Sequence, residues 1–162
     1  MTMPNLHIRH AEPRDAVDIA RFNAAMAVET EHRTLDGPTL RAGVEAALGD
    51  PRHGFYLVAE NGGVAVGCLL VTYEWSDWRN GQWWWLQSVY VEPEWRRGGV
   101  FRALYDAVEQ RLRASPEAIG LRLYVERDNA RAQNTYAALG MHETVYRVYE
   151  KTIGPARVQD TE

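Results

Sequence analysis

Cysteine is almost absent from this chain. Cys68 is the only cysteine among 162 residues, so no disulfide can form within the chain, and nothing indicates a secreted framework held together by cross-links. Cys68 lies inside the apolar run of residues 64–71. We therefore interpret it as a small, buried core thiol and not as a nucleophile.

Long apolar runs and an excess of basic residues are also missing. No stretch approaches the roughly 20 apolar residues that a membrane-spanning helix needs, and the first residues lack a basic segment followed by an apolar one. The formal net charge of -4 argues against a nucleic-acid-binding protein. We expect a cytoplasmic protein with neither a membrane nor a nucleic acid as partner, and the sign of the charge mildly favours a cationic substrate.

The histidines show no spacing typical of metal ligands. Such sites commonly place two histidines four residues apart on one helix face. No pair here has that separation, and we predict no metal site. The five histidines are His7, His10, His32, His53 and His142.

What the chain does have is the composition of an ordinary globular domain. Hydrophobic residues make up 46% and charged residues 25% of the sequence, which is enough apolar surface for one core. There is no internal repeat and no linker. We predict a single domain over residues 1–154, followed by a frayed tail over residues 155–162.

The hydrophobic periodicity alternates between the strand period of two and the helical period of 3.6. Because strands and helices are interspersed in this way, we predict the α/β class, with a mixed central sheet and helices packed on both faces. The predicted strands cover residues 6–8, 55–60, 64–75, 83–91, 121–125 and 143–151, and the predicted helices cover residues 13–29, 40–48, 100–112 and 129–139.

The segment over residues 85–113 carries the clearest chemical signal. It reads as a strand, Pro93, a turn rich in arginine and glycine, and an amphipathic helix. The start of a helix offers unpaired N–H groups and a positive dipole end, and glycines let a ligand approach the backbone. A diphosphate would fit there. The alternative is a glycine turn with solvated arginines. No lysine followed by serine or threonine closes the glycine run, so it is not a triphosphate P-loop.

This segment resembles the GNAT acetyltransferases. In that family a strand ending in Val-x-Pro leads into Q/R-x-x-G-x-G/A, whose amides hold the pyrophosphate of CoA. Val91-Glu92-Pro93 matches the first pattern, while Arg96 and Gly99 match the second. Phe101 departs from it, because the family usually has glycine or alanine there. The resemblance implies acetyl-CoA as co-substrate and a diphosphate site formed by Arg96, Arg97, Gly98, Gly99, Val100 and Phe101.

A second match lies downstream in NARAQNTYAALGM. Asn129, Ala132 and Tyr136 reproduce the family's N-x-x-A-x-x-x-Y, and this spacing places the three on one helix face. By resemblance, Asn129 contacts the pantetheine arm, Ala132 leaves room for it and Tyr136 protonates the departing thiolate. The alternative is that Tyr136 merely packs on the sheet.

The resemblance also implies the GNAT fold, in which two neighbouring strands diverge. The strand ending at Val91 would splay from the strand over residues 121–125. Pantetheine would then pair with exposed backbone near Val89 and Val91, where an N–H could polarise the thioester carbonyl.

The general base is not obvious. An amine must lose a proton before it attacks, and relatives often carry a carboxylate on the strand that here has Gln87 and Ser88. Glu29 or Glu31 could reach the cleft, a water chain could carry the proton, or the amine could arrive partly neutral. We favour Glu29, against the alternative that both glutamates lie on a solvated helix end.

Tryptophans are concentrated in one predicted hairpin. Because consecutive strand residues face opposite sides, they cannot all lie in one core. We expect one or two beneath a helix and the others along an acceptor cleft or partner surface, where they would suit an organic cation. The five tryptophans in this hairpin are Trp75, Trp78, Trp83, Trp84 and Trp85.

Together these features predict an N-acetyltransferase that moves an acetyl group from acetyl-CoA to a primary amine of a small molecule or peptide by direct attack. One alternative is a non-catalytic acyl-CoA-binding module or sensor, suggested by the missing strand carboxylate and by Phe101. Another is an interaction protein that dimerises through the tryptophan hairpin. The sequence leaves a homodimer open and does not identify the acceptor.

Overall fold

The computed structural model describes residue 3 and residues 5–154. Its centre is one five-stranded sheet in the order β1-β2-β3-β4-β5. The first four strands are antiparallel neighbours, and β5 joins β4 in parallel. The strands are β1 (Leu6–His10), β2 (Phe55–Asn61), β3 (Val64–Ser76), β4 (Gly81–Val91) and β5 (Ala118–Leu123).

Four helices accompany these strands in the described chain: α1 (Ala16–Glu31), α2 (Gly37–Gly49), α3 (Val100–Ala114) and α4 (Ala130–Ala138). Helices α1 and α2 lie between β1 and β2, α3 lies between β4 and β5, and α4 follows β5. A parallel neighbour requires a crossover connection, and α3 supplies it between β4 and β5. The predicted α/β class, with a mixed sheet between helices, is confirmed.

Each face of the sheet has its own core, because alternate strand residues point to opposite sides. Leu57 and Trp84 face α3 and pack with Leu104. Val58 and Cys68 face the other way and pack with Phe22 of α1. The helices therefore lie in two layers, α3 on one face and α1 with α2 on the other.

Local sequence signals start the helices. A 3₁₀ turn over Pro13–Asp15 leads into α1, and the Asp15 carboxylate accepts the N–H of Glu12 at 2.7 Å. Helix α2 begins at Gly37, three residues before the predicted start at residue 40, with Pro38 in its first turn. Asp36 caps it by accepting the N–H of Thr39 at 2.9 Å. Proline suits a first turn because its missing N–H would have no partner there.

The predicted last strand over residues 143–151 is wrong. No strand forms in this segment, and Val145 and Tyr149 are 92% and 93% exposed. The alternation of apolar residues was real, but a strand needs a neighbour for its N–H and C=O groups. In the described chain β5 stays at the edge of the sheet. The predicted frayed tail, residues 155–162, lies outside the described residues.

Candidate active site

Strands β4 and β5 pair for only part of their length. The ladder runs from Gln82 opposite Ala118 to Leu86 opposite Leu123, yet β4 continues to Val91. The edge of residues 87–91 that faces away from β3 therefore has no strand partner within the described chain. This is the divergence that the family resemblance implies, and Val89 and Val91 lie on this part of β4, half-buried.

An irregularity in β4 lies beside this gap. Cys68 pairs with Tyr90 and Leu70 with Gln87, so one residue of β3 faces two of β4. Ser88, in the extra stretch, has a φ of 50°. Such a bulge bends the strand and redirects its side chains.

The turn after β4 forms a helix start with open backbone. A 3₁₀ turn over Pro93–Trp95 is followed by Arg97 and Gly99, both with positive φ, of 64° and 89°. The first bond of α3 runs from the N–H of Ala103 to the carbonyl of Gly99. The N–H groups of the residues just before Ala103 therefore have no carbonyl partner within α3, and they point towards its N-terminal end.

The two glycines of the turn differ in their surroundings. A Cβ on Gly99 would meet nothing within 4 Å, whereas a Cβ on Gly98 would come within 2.1 Å of the Met3 Cε. Gly99 therefore leaves open space at the helix start. At Gly98 the close neighbour is only the end of the flexible Met3 side chain, which could move to make room.

Arg96 turns away from the helix start. Its Nε donates to the carbonyl of Val91 at 2.8 Å, and its Nη2 donates to Glu29 Oε2 at 2.8 Å. The hydroxyl of Tyr90 donates to the other oxygen of Glu29 at 3.1 Å. Glu29 is therefore not a free, solvent-exposed carboxylate. Its contacts with Tyr90 and Arg96 link the end of α1 to the end of β4 and to the turn that follows it.

Tyr90 is a member of this cluster that was not predicted from the sequence. Burial, followed by the hydrogen bond and charge of Glu29, raises the pKa of Tyr90, so the hydroxyl stays protonated and keeps donating. The only signal was the position of Tyr90 two residues after Ser88 on the same strand. Nothing in the sequence pairs it with a residue 61 positions earlier.

Phe101 points away from the turn. Its ring lies between α3 and α4, 6.3 Å from the ring of Tyr105 and 6.2 Å from the ring of Tyr136 by centroid distance. The side chain therefore packs against the core under α3. Its backbone N–H remains at the helix start.

Helix α4 brings the second motif together. Ala132 and Tyr136 are half-buried on one side of the helix, as the spacing predicts. Asn129 has a structural task, because its Oδ1 accepts the N–H of Ala132 at 3.0 Å and so caps the helix. Burial raises the pKa of Tyr136, which keeps its phenol protonated at neutral pH.

A cavity of about 270 Å³ opens between α1, α2 and the bulge of β4. Its lining combines apolar residues of the helices and of their connection with polar residues near the sheet. The lining includes Asn23, Met26, Glu31, Leu35, Leu40 and Ser88.

Asn23 was not foreseen as a cavity residue. It is 6% exposed, its Nδ2 lies 3.4 Å from the Tyr56 hydroxyl, and its buried Oδ1 has no hydrogen-bond partner among the described residues. The signal was present in the sequence, because an asparagine interrupts the apolar face of α1 formed by Ile19, Phe22 and Met26.

The tryptophans do not line this cavity. Trp84 is buried beneath α3, Trp83 stacks under the guanidinium of Arg122, and Trp75 and Trp78 are 55% and 86% exposed near the far end of the hairpin. That end is separated from the bulge at Ser88 by seven residues of β4, or roughly 23 Å at 3.3 Å per residue. The expected aromatic wall along this cleft is therefore wrong for this cavity.

Cys68 is an inert core thiol. It is fully buried, and this burial raises its pKa to about 12. Its Sγ lies 3.7 Å from the carbonyl of Ser88, directly beneath the bulge. A thiol that holds its proton this firmly is a poor nucleophile.

Among the described residues, no group of three or more histidine, cysteine, aspartate or glutamate side chains could hold a metal ion.

None of the helices formed by those residues is long and apolar enough to cross a membrane.

The sequence matches the model of a known family. The acetyltransferase (GNAT) family model aligns with residues 20–141. This range includes most of α1, the turn after β4, and all of α3 and α4. A comparison with curated proteins found no match.

Solved structures share the fold. The crystal structure of a possible acetyltransferase from Clostridium difficile 630 is 42% identical, with a TM-score of 0.88 over 93% of this chain and 99% of that chain. A ribosomal-protein-alanine N-acetyltransferase from Brucella melitensis biovar Abortus 2308 is 20% identical, with a TM-score of 0.73 over 92% of this chain and 99% of that one.

An aminoglycoside N-acetyltransferase in complex with CoA is also 20% identical, with a TM-score of 0.72 over 91% of this chain and 94% of that one. At that identity the last two structures support the fold alone. With the family model covering most of the sequence and a 42% identical structure covering nearly all of it, the chain belongs to the GNAT acetyltransferase family and is an acyltransferase.

Proposed function

We propose that this enzyme transfers an acetyl group from acetyl-CoA to a primary amine of a small molecule or peptide by direct attack. In that reaction a C–N bond forms, the C–S bond of the thioester breaks, and the thiolate and one amine proton must be accommodated. The observation that carries the proposal is the gap after Leu86, where β4 leaves β5 and ends at the open start of α3.

The backbone of this gap would hold the coenzyme. Val89 and Val91 lie on the stretch of β4 that has no β5 partner, so backbone polar groups there could pair with the amides of pantetheine. The Val91 carbonyl already accepts a hydrogen bond from Arg96 Nε, which leaves the Val91 N–H and the backbone of Val89 for this pairing. The amides of Gly98, Gly99, Val100 and Phe101 would hold the diphosphate at the positive end of α3. The open space at Gly99 and the inward turn of the Phe101 ring support close approach.

The two arginines would contribute unequally. Arg97 is exposed and could pair with phosphate directly. Arg96 is held by Glu29 and by the Val91 carbonyl, so a diphosphate would have to draw it away from that carboxylate. Coenzyme binding would then release Glu29.

A released Glu29 would serve as the general base. Its carboxylate is 38% exposed, at the end of α1 that borders the cavity, where Thr30 and Glu31 are lining residues. A base that becomes free only when coenzyme binds would favour coenzyme binding before the amine. Measured order of binding therefore tests this role.

Tyr136 would protonate the leaving thiolate. Its raised pKa keeps the proton in place until the sulfur needs it, and Ala132 leaves room one turn before it. Asn129 uses Oδ1 to cap α4, so only the Nδ2 side of its amide could contact pantetheine.

The test begins with calorimetry of CoA, followed by thiol release from acetyl-CoA with an amine library. Tyr136→Phe should lower kcat at least about 100-fold while leaving the Kd for CoA within about threefold, since general acids typically contribute 10²–10⁴-fold. Tyr146→Phe, at a 71% exposed tyrosine, is the matched control and should match the parent.

The base is tested separately. Glu29→Gln should lower kcat, whereas Glu45→Gln, in an exposed pair with Arg41, should leave it unchanged. Binding of CoA without thiol release for any amine would support the non-catalytic module instead.

A further inference from the structure

The sheet face that carries α1 and α2 also has a strip that neither helix covers. Trp83 and Trp85 point to this face, because Trp84 between them packs beneath α3 on the other. Neither belongs to a core cluster of the described residues, and both are half-buried. Gln87 follows on the same face of β4 and is also half-buried. The open strip, residues 83, 85 and 87, therefore ends beside the bulge at Ser88.

An aromatic pair lies on the open strip. The ring of Tyr124, the residue after β5, is 4.6 Å from the ring of Trp85 by centroid distance, with 36° between the planes. Tyr124 is 62% exposed. The ring of Trp83 is already in use, because it packs over Gly120 and has the Arg122 guanidinium 4.1 Å from its centroid. Trp85 and Tyr124 therefore form the accessible aromatic surface of the strip.

The aromatic pair lies next to the gap between β4 and β5. Trp85 comes one residue before Leu86, where the pairing with β5 ends, and Gln87 is roughly 7 Å further along β4 at 3.3 Å per residue. The coenzyme would occupy the other face, because the start of α3 and the ring of Tyr136 lie on that side. An acceptor must then reach the thioester from the face of the aromatic pair, where α1 and its Glu29 also lie.

The charges beside the pair favour a neutral aromatic ligand. An exposed ring attracts either another aromatic ring or a cation. Arg122, directly opposite Trp85 in the ladder, already places a guanidinium on this face. Its Nη1 donates to Glu74 Oε2 at 2.6 Å, so that carboxylate is engaged. A cation over Trp85 would lie beside an arginine, whereas an aromatic ring needs no charged partner.

We propose that Trp85 and Tyr124 bind an aromatic ring of the acceptor, and that the enzyme acts on primary amines joined to such a ring by a short linker. This inference rests on the proposed function, whose acceptor class it specifies. The linker is short because the aromatic pair lies only about two strand residues from the gap, where the amine would meet the thioester.

The test compares two amines that differ only in the ring, 2-phenylethylamine and 2-cyclohexylethylamine, on the full chain. The KM of each is measured by thiol release at saturating acetyl-CoA. Calorimetry in the presence of CoA, which lacks the acetyl group, gives each Kd without turnover. The result is the ratio of the cyclohexyl value to the phenyl value, compared between parent and variant, so that differences in basicity and apolar area between the two amines cancel.

Removing either ring of the pair should lower this ratio. Trp85→Leu and Tyr124→Leu should each lower it at least about threefold, since aromatic contacts contribute roughly 2- to 12-fold beyond the burial of apolar area. Tyr124→Phe keeps the ring and should keep the ratio. Trp78→Leu, at an 86% exposed tryptophan of the same hairpin, is the matched control and should also keep it. Should Trp85→Leu not fold, the variant at the exposed Tyr124 still decides.

The outcomes separate the two proposals. Thiol release from acetyl-CoA decides whether the chain is an amine acetyltransferase, and the change in ratio decides what the aromatic pair binds. An unchanged ratio in the leucine variants of the pair, an equal fall in Trp78→Leu, or no binding of either amine would overturn the inference, even if other amines are acetylated. Absence of thiol release with every amine, alongside a Kd ratio that falls in those variants, would instead overturn the proposed function.

Discussion

The face of the sheet beneath α3 and the face beneath α1 and α2 bury their residues differently. Beneath α3, apolar side chains such as Leu104, Val108 and Trp84 pack into one continuous cluster. Beneath α1 and α2, two polar residues, Asp15 and Asn23, are buried as well, and the cavity lies on this side.

The face beneath α3 contributes mainly to the stability of the fold, whereas the face beneath α1 and α2 has the features suited to ligand binding. A close-packed apolar face stabilises the fold and fixes the start of α3, where the diphosphate would bind. A face with a cavity and buried polar side chains gives up some of that stabilisation. Sites that bind ligands commonly carry such unfavourable features, because the ligand completes them.

The largest expected effect is on the rate at which a thiol reagent labels Cys68. This rate reports how readily the layer of α1 and α2 separates from the sheet. With its pKa raised to about 12 against about 8.5 for a free thiol, Cys68 has roughly a thousandfold less thiolate at pH 8. We expect labelling by a thiol reagent to be at least that much slower in the folded protein than in urea. A folded rate close to the unfolded one would mean that the α1 layer opens readily.

The next largest expected effect is on the free energy of unfolding, because side chains pack more densely beneath α3 than at the cavity. Leu104 is fully buried beneath α3, so Leu104→Ala should lower the free energy of unfolding by about 2–5 kcal/mol. Leu40→Ala is the matched change at the cavity, where less packing is lost, and it should cost less than half as much. Urea denaturation measures both, and equal losses would contradict the comparison.

The buried ion pair should give an effect of intermediate size. Asp15 accepts from Arg9 at 2.7 Å and 2.9 Å and from the N–H of Glu12 at 2.7 Å. Asp15→Asn should lower the free energy of unfolding at pH 7 by about 1.5–3 kcal/mol, as hydrogen bonds to charged groups do. Asp18→Asn, in an exposed pair, should change it far less.

The pH dependence of that loss has a definite sign. Burial alone would raise the pKa of Asp15, but the hydrogen bonds from Arg9 and from the Glu12 N–H outweigh it and lower the pKa. A lowered folded-state pKa means that the stabilisation is complete above the unfolded value of about 3.9 and disappears as pH falls through the folded value. The gap between parent and variant should therefore persist at pH 6 and close below about pH 4. A gap that widened on acidification would contradict this.

The smallest effect on stability should come from Asn23→Leu. This change removes a buried Oδ1 that has no partner in the described chain, so we expect the free energy of unfolding to change by less than about 1 kcal/mol. A loss of stability above about 2 kcal/mol would show that Asn23 is structural.

Local patterns were enough for most of the fold. Period-two runs predicted β2, β3 and β4, and period-3.6 runs predicted all four helices, because these signals depend on residues close in sequence. The strand over residues 143–151 failed for the opposite reason. Its pattern was suitable, but pairing requires an edge supplied by a distant part of the chain.

The candidate site likewise has one part that local sequence patterns predicted and one part that they did not. The turn over residues 96–101 and the face of α4 with Ala132 and Tyr136 were visible as local motifs. The cluster of Glu29, Tyr90 and Arg96 was not, since it joins α1 to the end of β4 across more than 60 positions.

By itself, the sequence determined the α/β order of elements, the glycine-containing start of α3 and the inert nature of Cys68. These follow from spacing, backbone freedom and apolar neighbours within a few residues. The tertiary structure alone decided that Arg96 is held by Glu29, that the tryptophans lie away from the cavity, and that Asn23 is a cavity residue with an unpaired oxygen. Those facts depend on which distant surfaces meet, because burial and hydrogen bonding are properties of the packed chain.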